Sequence, residues 1–201
     1  MADPQPGNRA NEARCDDLGQ LWLGTMQNNI GENGEDLPLE HRSGGLFRVG
    51  TDGRVMPLLR GRGIPNTLLW SPDGTTVYFG ESLDGTLYRH FIYPDGNLAP
   101  AEVWFGPHSR GGPDGSAMDA RGYVWNARWD GSCLLRISPD GQVDRVVELP
   151  VSRPTSCVFG GEDLKTLYIT SAASPLAHPL DGALLSMRVD VPGVSCTRFA
   201  G

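Results

Sequence analysis

The stretch NTLLWSPDG, Asn66–Gly74, decides the fold because it recurs. NEARCDDLG from Asn11, DGSAMDARG from Asp114 and TSCVFGGED from Thr155 align with it without gaps over nine positions. Each copy is followed, three to five residues later, by an aromatic in a short apolar run: Trp22, Tyr78, Trp125 and Tyr168. The four anchors stand 55, 48 and 41 residues apart. That period, filled with short strands, is the range of a four-stranded propeller blade.

The remainder of each repeat agrees. A third strand is expected at GLFRV from Gly45, TLYRHFIY from Thr86, SCLLRIS from Ser132 and ALLSMRV from Ala183. A fourth follows at RVMPLL from Arg54, LAPAEVWF from Leu98, VDRVVEL from Val143 and VSCTRF from Val194. Asp-Gly pairs begin at Asp52, Asp73, Asp84, Asp95, Asp130, Asp140 and Asp181. Between apolar runs such pairs are hairpin turns, since Gly accepts φ > 0 and Asp tolerates it. The reading is all-β: four consecutive four-stranded blades, residues 1–201, in one β-propeller domain.

Composition supports this. Glycine and proline supply 27 and 16 of 201 residues, about a fifth against an average of about 12%. Each interior Gly or Pro costs a helix about 1 or 3 kcal/mol, which excludes a helical bundle. A net charge of −7 with no Lys/Arg run lacks the footprint of a nucleic-acid binder. No apolar run exceeds three residues, too short for a transmembrane helix or a signal peptide. Cys15, Cys133, Cys157 and Cys196 show no CxxC or zinc spacing and are expected as free thiols in a cytoplasmic chain.

Asp114-Gly115 does not fit the turn role. It opens an inner strand, in one column with Asn11, Asn66 and Thr155. Inner strands line a propeller's central channel, so this column converges on the axis. The long connection from Gln27 to Gly44 lies at the same end and carries Asn28, Asn29, Glu32, Glu35, Asp36, Glu40, His41 and Arg42. Loops of that length are lids, binding loops or disordered segments. The fourth repeat has a shorter, Pro-containing equivalent bearing His178.

An Asp and Asn residues converging on an axis make an oxygen-rich pocket for a hard divalent cation. Such an ion polarises a carbonyl or acidifies a water, with Asp114 placed to take a proton. Arg9 adds planar donors for a substrate oxygen. No GxSxG, HExxH or GxxxxGK[ST] occurs, so the nucleophile and phosphate-loop schemes lack their residues. His90 and His108, in or near outer-strand segments, are expected to be structural or exposed.

These residues resemble the senescence-marker-protein/gluconolactonase family, which includes regucalcin. The resemblance is carried by GNRAN (Gly7–Asn11), DLGQLWLGTM (Asp17–Met26), IPNTLLWSPDG (Ile64–Gly74), PDGSAMDARGYVW (Pro113–Trp125) and PTSCVFGG (Pro154–Gly161). It implies a six-bladed propeller hydrolysing a sugar lactone at one axial divalent metal, whether Ca, Mg, Mn, Zn or Fe. It implies Asn66 and Asp114 as metal ligands, Asp114 as general base, and Arg9, Asn11 and Asn29 as substrate-binding residues. Some relatives place a glutamate at the Asn29 position, and the family has a further ligand Glu in an N-terminal segment that would precede Arg9; both are departures here. The expected partner is a small sugar lactone, with no nucleic acid and no membrane. Two rival readings stand beside it: a non-enzymatic Ca-binding regulatory propeller, or an inactive, N-terminally incomplete fragment.

Overall fold

The computed structural model describes residues 2–173 and 178–201. Four antiparallel sheets follow one another along the chain as propeller blades. The first contains β1 (Asn8–Cys15), β2 (Leu21–Gln27), β3 (Gly44–Val49) and β4 (Val55–Arg62). The second contains β5 (Pro65–Trp70), β6 (Thr76–Glu81), β7 (Thr86–Phe91) and β8 (Glu102–Phe105). The third contains β9 (Gly112–Met118), β10 (Val124–Trp129), β11 (Cys133–Ile137) and β12 (Val143–Glu148). The fourth contains β13 (Pro154–Gly160), β14 (Thr166–Ser171) and β15 (Leu185–Arg188). Among the described residues no helix is long and apolar enough to cross a membrane.

The repeat is a register. The fourth residue of each copy lies opposite the aromatic: Arg14↔Trp22, Leu69↔Tyr78, Ala117↔Trp125 and Val158↔Tyr168. In the two copies with Trp, the sixth residue is an Asp whose side chain braces the turn and the indole together. Asp16 accepts from the Leu18 and Gln20 N–H groups and, at 2.8 Å, from Trp22 Nε1. Asp119 repeats this with Arg121, Tyr123 and Trp125. A buried indole N–H needs such a partner, so the Asp and the Trp occur together.

Apolar residues fill the seams between blades. Trp22, Leu46, Leu68, Val77 and Phe79 join blades one and two. Leu69, Trp104, Phe105, Met118 and Val124 join two and three, and Trp125, Leu134, Phe159 and Leu167 join three and four. Fully burying one such side chain stabilises by about 1.5–3 kcal/mol, so each seam holds its two blades in fixed orientation.

One expected element is absent. VSCTRF, from Val194, does not form a fourth strand on the last blade, which has three among the described residues. Pro192 is the reason: it offers no N–H to a ladder, and its carbonyl accepts from Ala120 N in the third blade. Gly193 then bridges to Asp119, Val194 N donates to Met118 O, and Ala200 N donates to Gly19 O at 3.0 Å. The tail therefore crosses the end of the channel to the first blade. The preceding strand is also shorter than expected from Ala183, starting at Leu185.

Of the seven Asp-Gly turns, six place glycine at positive φ. At Asp130 the roles invert, with positive φ at Asp130 and Ser132 instead. The fourth copy of the repeat also slips by one at its end: the turn closes from Leu164 N to Gly161 O, with Leu164 at φ 52.

Candidate active site

Each inner strand carries a β-bulge near its N-terminal end. The register breaks between Ala10 and Ala13, Asn66 and Leu68, Pro113 and Ser116, and Pro154 and Ser156. A bulge turns a side chain out of the alternation of the strand. The first column of the repeat sits at or beside these bulges. Asn11, Asn66 and Asp114 consequently share one open cleft of about 360 Å³ with Arg9 and Asn29. Thr155 does not join them; its hydroxyl pairs with Thr170 at 2.7 Å, and it is not part of the cleft wall.

The polar side chains form a chain of donors. Arg9 donates to Asn11 Oδ1 and to Asn29 Oδ1, both at 2.9 Å. Asn11 Nδ2 donates to Asn66 Oδ1 at 3.1 Å and to Pro65 O at 2.9 Å. Asn66 Nδ2 donates to Ser82 Oγ at 2.8 Å, and Ser82 in turn donates to the Pro113 carbonyl. A hydroxyl already donating to a carbonyl offers Asn66 an acceptor, which fixes the amide with its oxygen turned away from Ser82. Asn29 thus reaches the site through Arg9, an amide where a carboxylate would neutralise that cation.

Asp114 differs from the rest. Among the described residues no side chain donates to its carboxylate and no cation pairs with it. Burial, reinforced by the like charge of Glu12 and opposed by the Gly115 N–H, pushes its pKa up to about 7. Burial likewise raises Glu12. A densely surrounded carboxylate with no counter-charge, near an amide oxygen, is a donor set that fits a hard cation. Among the described residues no three His, Cys, Asp or Glu side chains cluster as a metal site.

Sequence reasoning missed part of the wall. Met26, Ile64 and Leu83 supply apolar surface and Trp129 at the end of β10 lies on the rim, where it meets Asp36, one of the long-loop residues that the sequence did place at this end. The Arg153 guanidinium lies 4.7 Å over the Trp129 ring and is held by Asp130 at 2.7 Å and Asp36 at 3.6 Å. No spacing rule finds these residues, because blade packing brings them together. Glu32 and Glu35 are exposed and outside the cleft; Glu35 caps its own loop through Asn33 N. His178 is exposed, its N–H on Asp181, while Pro175, the first of that loop's two prolines, lies outside the described residues.

His90 and His108 are structural. His90 Nδ1 donates to Ala99 O at 2.9 Å, and His108 accepts from Arg110 N at 3.1 Å while leaning on Phe105. All four cysteines are free.

Residues 1–173 match the family described as the SMP-30/Gluconolactonase/LRE-like region. The chain belongs to this family. A 6-deoxy-6-sulfogluconolactonase from Pseudomonas putida is 38% identical over 96% of this chain and 66% of its own length. An L-arabinolactonase from Azospirillum brasilense is 32% identical over 99% of this chain and 66% of its own. The crystal structure of a calcium-binding protein, regucalcin, from Agrobacterium tumefaciens superposes with a TM-score of 0.86 at 32% identity. It covers 99% of this chain and 67% of that one. The chain thus spans about two thirds of these SMP-30/gluconolactonase relatives.

Proposed function

We propose that the cleft hydrolyses a sugar lactone, with Asp114 as the base that takes a proton from the attacking water. The observation that carries this is the position of Asp114, its carboxylate unpaired, in one cleft with the Arg9–Asn11–Asn66 donor chain. A pKa of about 7 is well matched to proton abstraction near neutral pH. Water adds across the ester, the bond from the acyl carbon to the ring oxygen breaks, and the ring oxygen takes up a proton to give the open hydroxy acid.

Arg9 orients the substrate. Its two terminal nitrogens are held by amide oxygens rather than by carboxylates, so its charge remains available to a carbonyl or hydroxyl oxygen. Asn29 stiffens that guanidinium, and Trp129 and Leu83 present apolar surface to the C–H faces of a sugar ring. Asn66 and Asp114 are the residues that would hold a divalent cation, which when bound supplies Lewis-acid polarisation and an acidified water. The relatives named as sulfogluconolactonase and arabinolactonase support the substrate class.

The test is Asp114→Asn, nearly isosteric but unable to accept the proton, assayed on gluconolactone and arabinonolactone with added Mn²⁺, Mg²⁺, Ca²⁺ or Zn²⁺. The expected result is turnover lost by a factor of about 10² or more with the β-rich circular dichroism unchanged. Equal rates in the variant and the parent remove Asp114 from the mechanism. The neighbour described as a calcium-binding protein favours a second reading, in which Ca²⁺ is held without hydrolysis. Stoichiometric Ca²⁺ uptake with no lactone turnover is its signature.

A further inference from the structure

Thr67 follows the candidate ligand Asn66 and has φ 44 with no exposed surface. Left-handed backbone is unfavourable for a β-branched residue and free for glycine. What threonine has and glycine lacks here is the hydroxyl. Thr67 Oγ1 donates to the Asp114 carbonyl at 2.5 Å and lies 2.8 Å from Ser116 Oγ. The hydroxyl of one blade therefore grips the bulge of the next, on the peptide that carries the Asp114 carboxylate.

The third blade supports that grip from its own side. Asn126 Nδ2 donates to the Asp114 carbonyl at 3.1 Å and to Ser116 Oγ at 2.9 Å. Asn126 Oδ1 accepts from Arg128 at 2.9 Å, and Arg128 also holds the carbonyls of Arg110 and Gly111 at the approach to β9. Arg128 and Asn126 are fully buried, and an ordered buried network of this kind fixes a single geometry. Strained backbone persists where its surroundings over-determine it, characteristically beside functional groups.

We propose that Thr67 is a positioning residue: its hydroxyl, held by a strained backbone, sets the spacing between Asn66 and Asp114 across the seam of blades two and three. The inference rests on the reading of those two residues as cation ligands. Its consequence is that stability and site function separate at this position. Thr67→Gly relieves the φ strain but releases Asp114, whereas Thr67→Ser keeps the grip.

The experiment titrates Mn²⁺ alone into the full chain, followed by calorimetry, with thermal midpoints measured on the metal-free proteins. Thr67→Gly is expected to keep or raise the midpoint while weakening Mn²⁺ binding about 10-fold, the usual cost of losing an outer-shell partner. Thr67→Ser is expected to restore the parent affinity. Parent-like affinity in Thr67→Gly, or a loss that Thr67→Ser does not recover, overturns the proposal. Asp114→Asn run in parallel tests the underlying reading separately. If the parent takes up no Mn²⁺, or Asp114→Asn binds it equally well, that reading falls and the proposal with it.

Discussion

An asparagine amide is a useful ligand only if its oxygen points the right way, and the surroundings of Asn66 settle that. Ser82 Oγ donates to Pro113 O, accepts from Asn66 Nδ2 at 2.8 Å, and so leaves Oδ1 toward Asn11. Ser82→Ala removes the anchor, frees the amide to rotate and leaves a polar group short of a partner. The expected outcome is an apparent Mn²⁺ dissociation constant raised by roughly 10-fold, with a stability loss of about 1–3 kcal/mol. An unchanged titration would show that Asn66 needs no such anchor. Residues of this kind were only half legible. Asn11, Asn66 and Asp114 could be named because four copies of one motif exposed their column, Arg9 stands two residues before it, and Asn29 was reached only through the family resemblance. Ser82, Thr67 and Trp129 could not be named, since their roles depend on a neighbouring blade.

At the scale of single elements, the alternation of β6 and β7 carries His90 inward on β7. Its ring packs edge-on to Phe79, centroids 6.5 Å apart. Nδ1 is used on Ala99, while Nε2 is buried without a partner among the described residues. Protonation would place an unsatisfied N–H and a charge in the seam, so burial holds the pKa below its ordinary 6.5, with Arg62 adding to the effect. The sign follows: a folded-state pKa below the unfolded one gives stability that is present above pH 6.5 and lost as pH falls. A difference between the parent and His90→Asn, which keeps a donor for Ala99, should therefore open below about pH 6.5, the parent losing midpoint relative to the variant. The raised carboxyls of Asp114 and Glu12, which gain stability on acidification, are common to both. The slope carries the result rather than the absolute midpoint, and an identical slope in parent and variant would assign the acid sensitivity elsewhere. Strands such as β6 and β7 were readable from their aromatic and β-branched runs. The inner-strand bulges were not, because an extra residue in one strand becomes visible only against its partner.

For the whole molecule, the tail does what the repeat could not foretell. VSCTRF has the alternation of a strand, yet Pro192 diverts it across the channel, opposite the cleft. There it covers a cavity of about 110 Å³ whose wall includes Cys15, Trp70, Met118 and Phe159, the ends of all four inner strands. Blades stacked side by side are stabilised mainly through neighbouring seams, as in other repeat folds. A segment bonded to Met118 in the third blade and to Gly19 in the first, with Thr197 on Asp17 at 3.3 Å, couples blades that do not share a seam. Shortening the chain to end at Gly193 removes these three hydrogen bonds, each worth about 1 kcal/mol. It also uncovers the apolar ends of the inner strands. The expected result is a thermal midpoint lower by roughly 5–10 °C. Faster amide exchange is expected in β1 and in the Asp16–Gly19 turn, with β11 little changed. Exchange that rises evenly through all four blades, or a midpoint that does not move, would show that the seams alone hold the blades together.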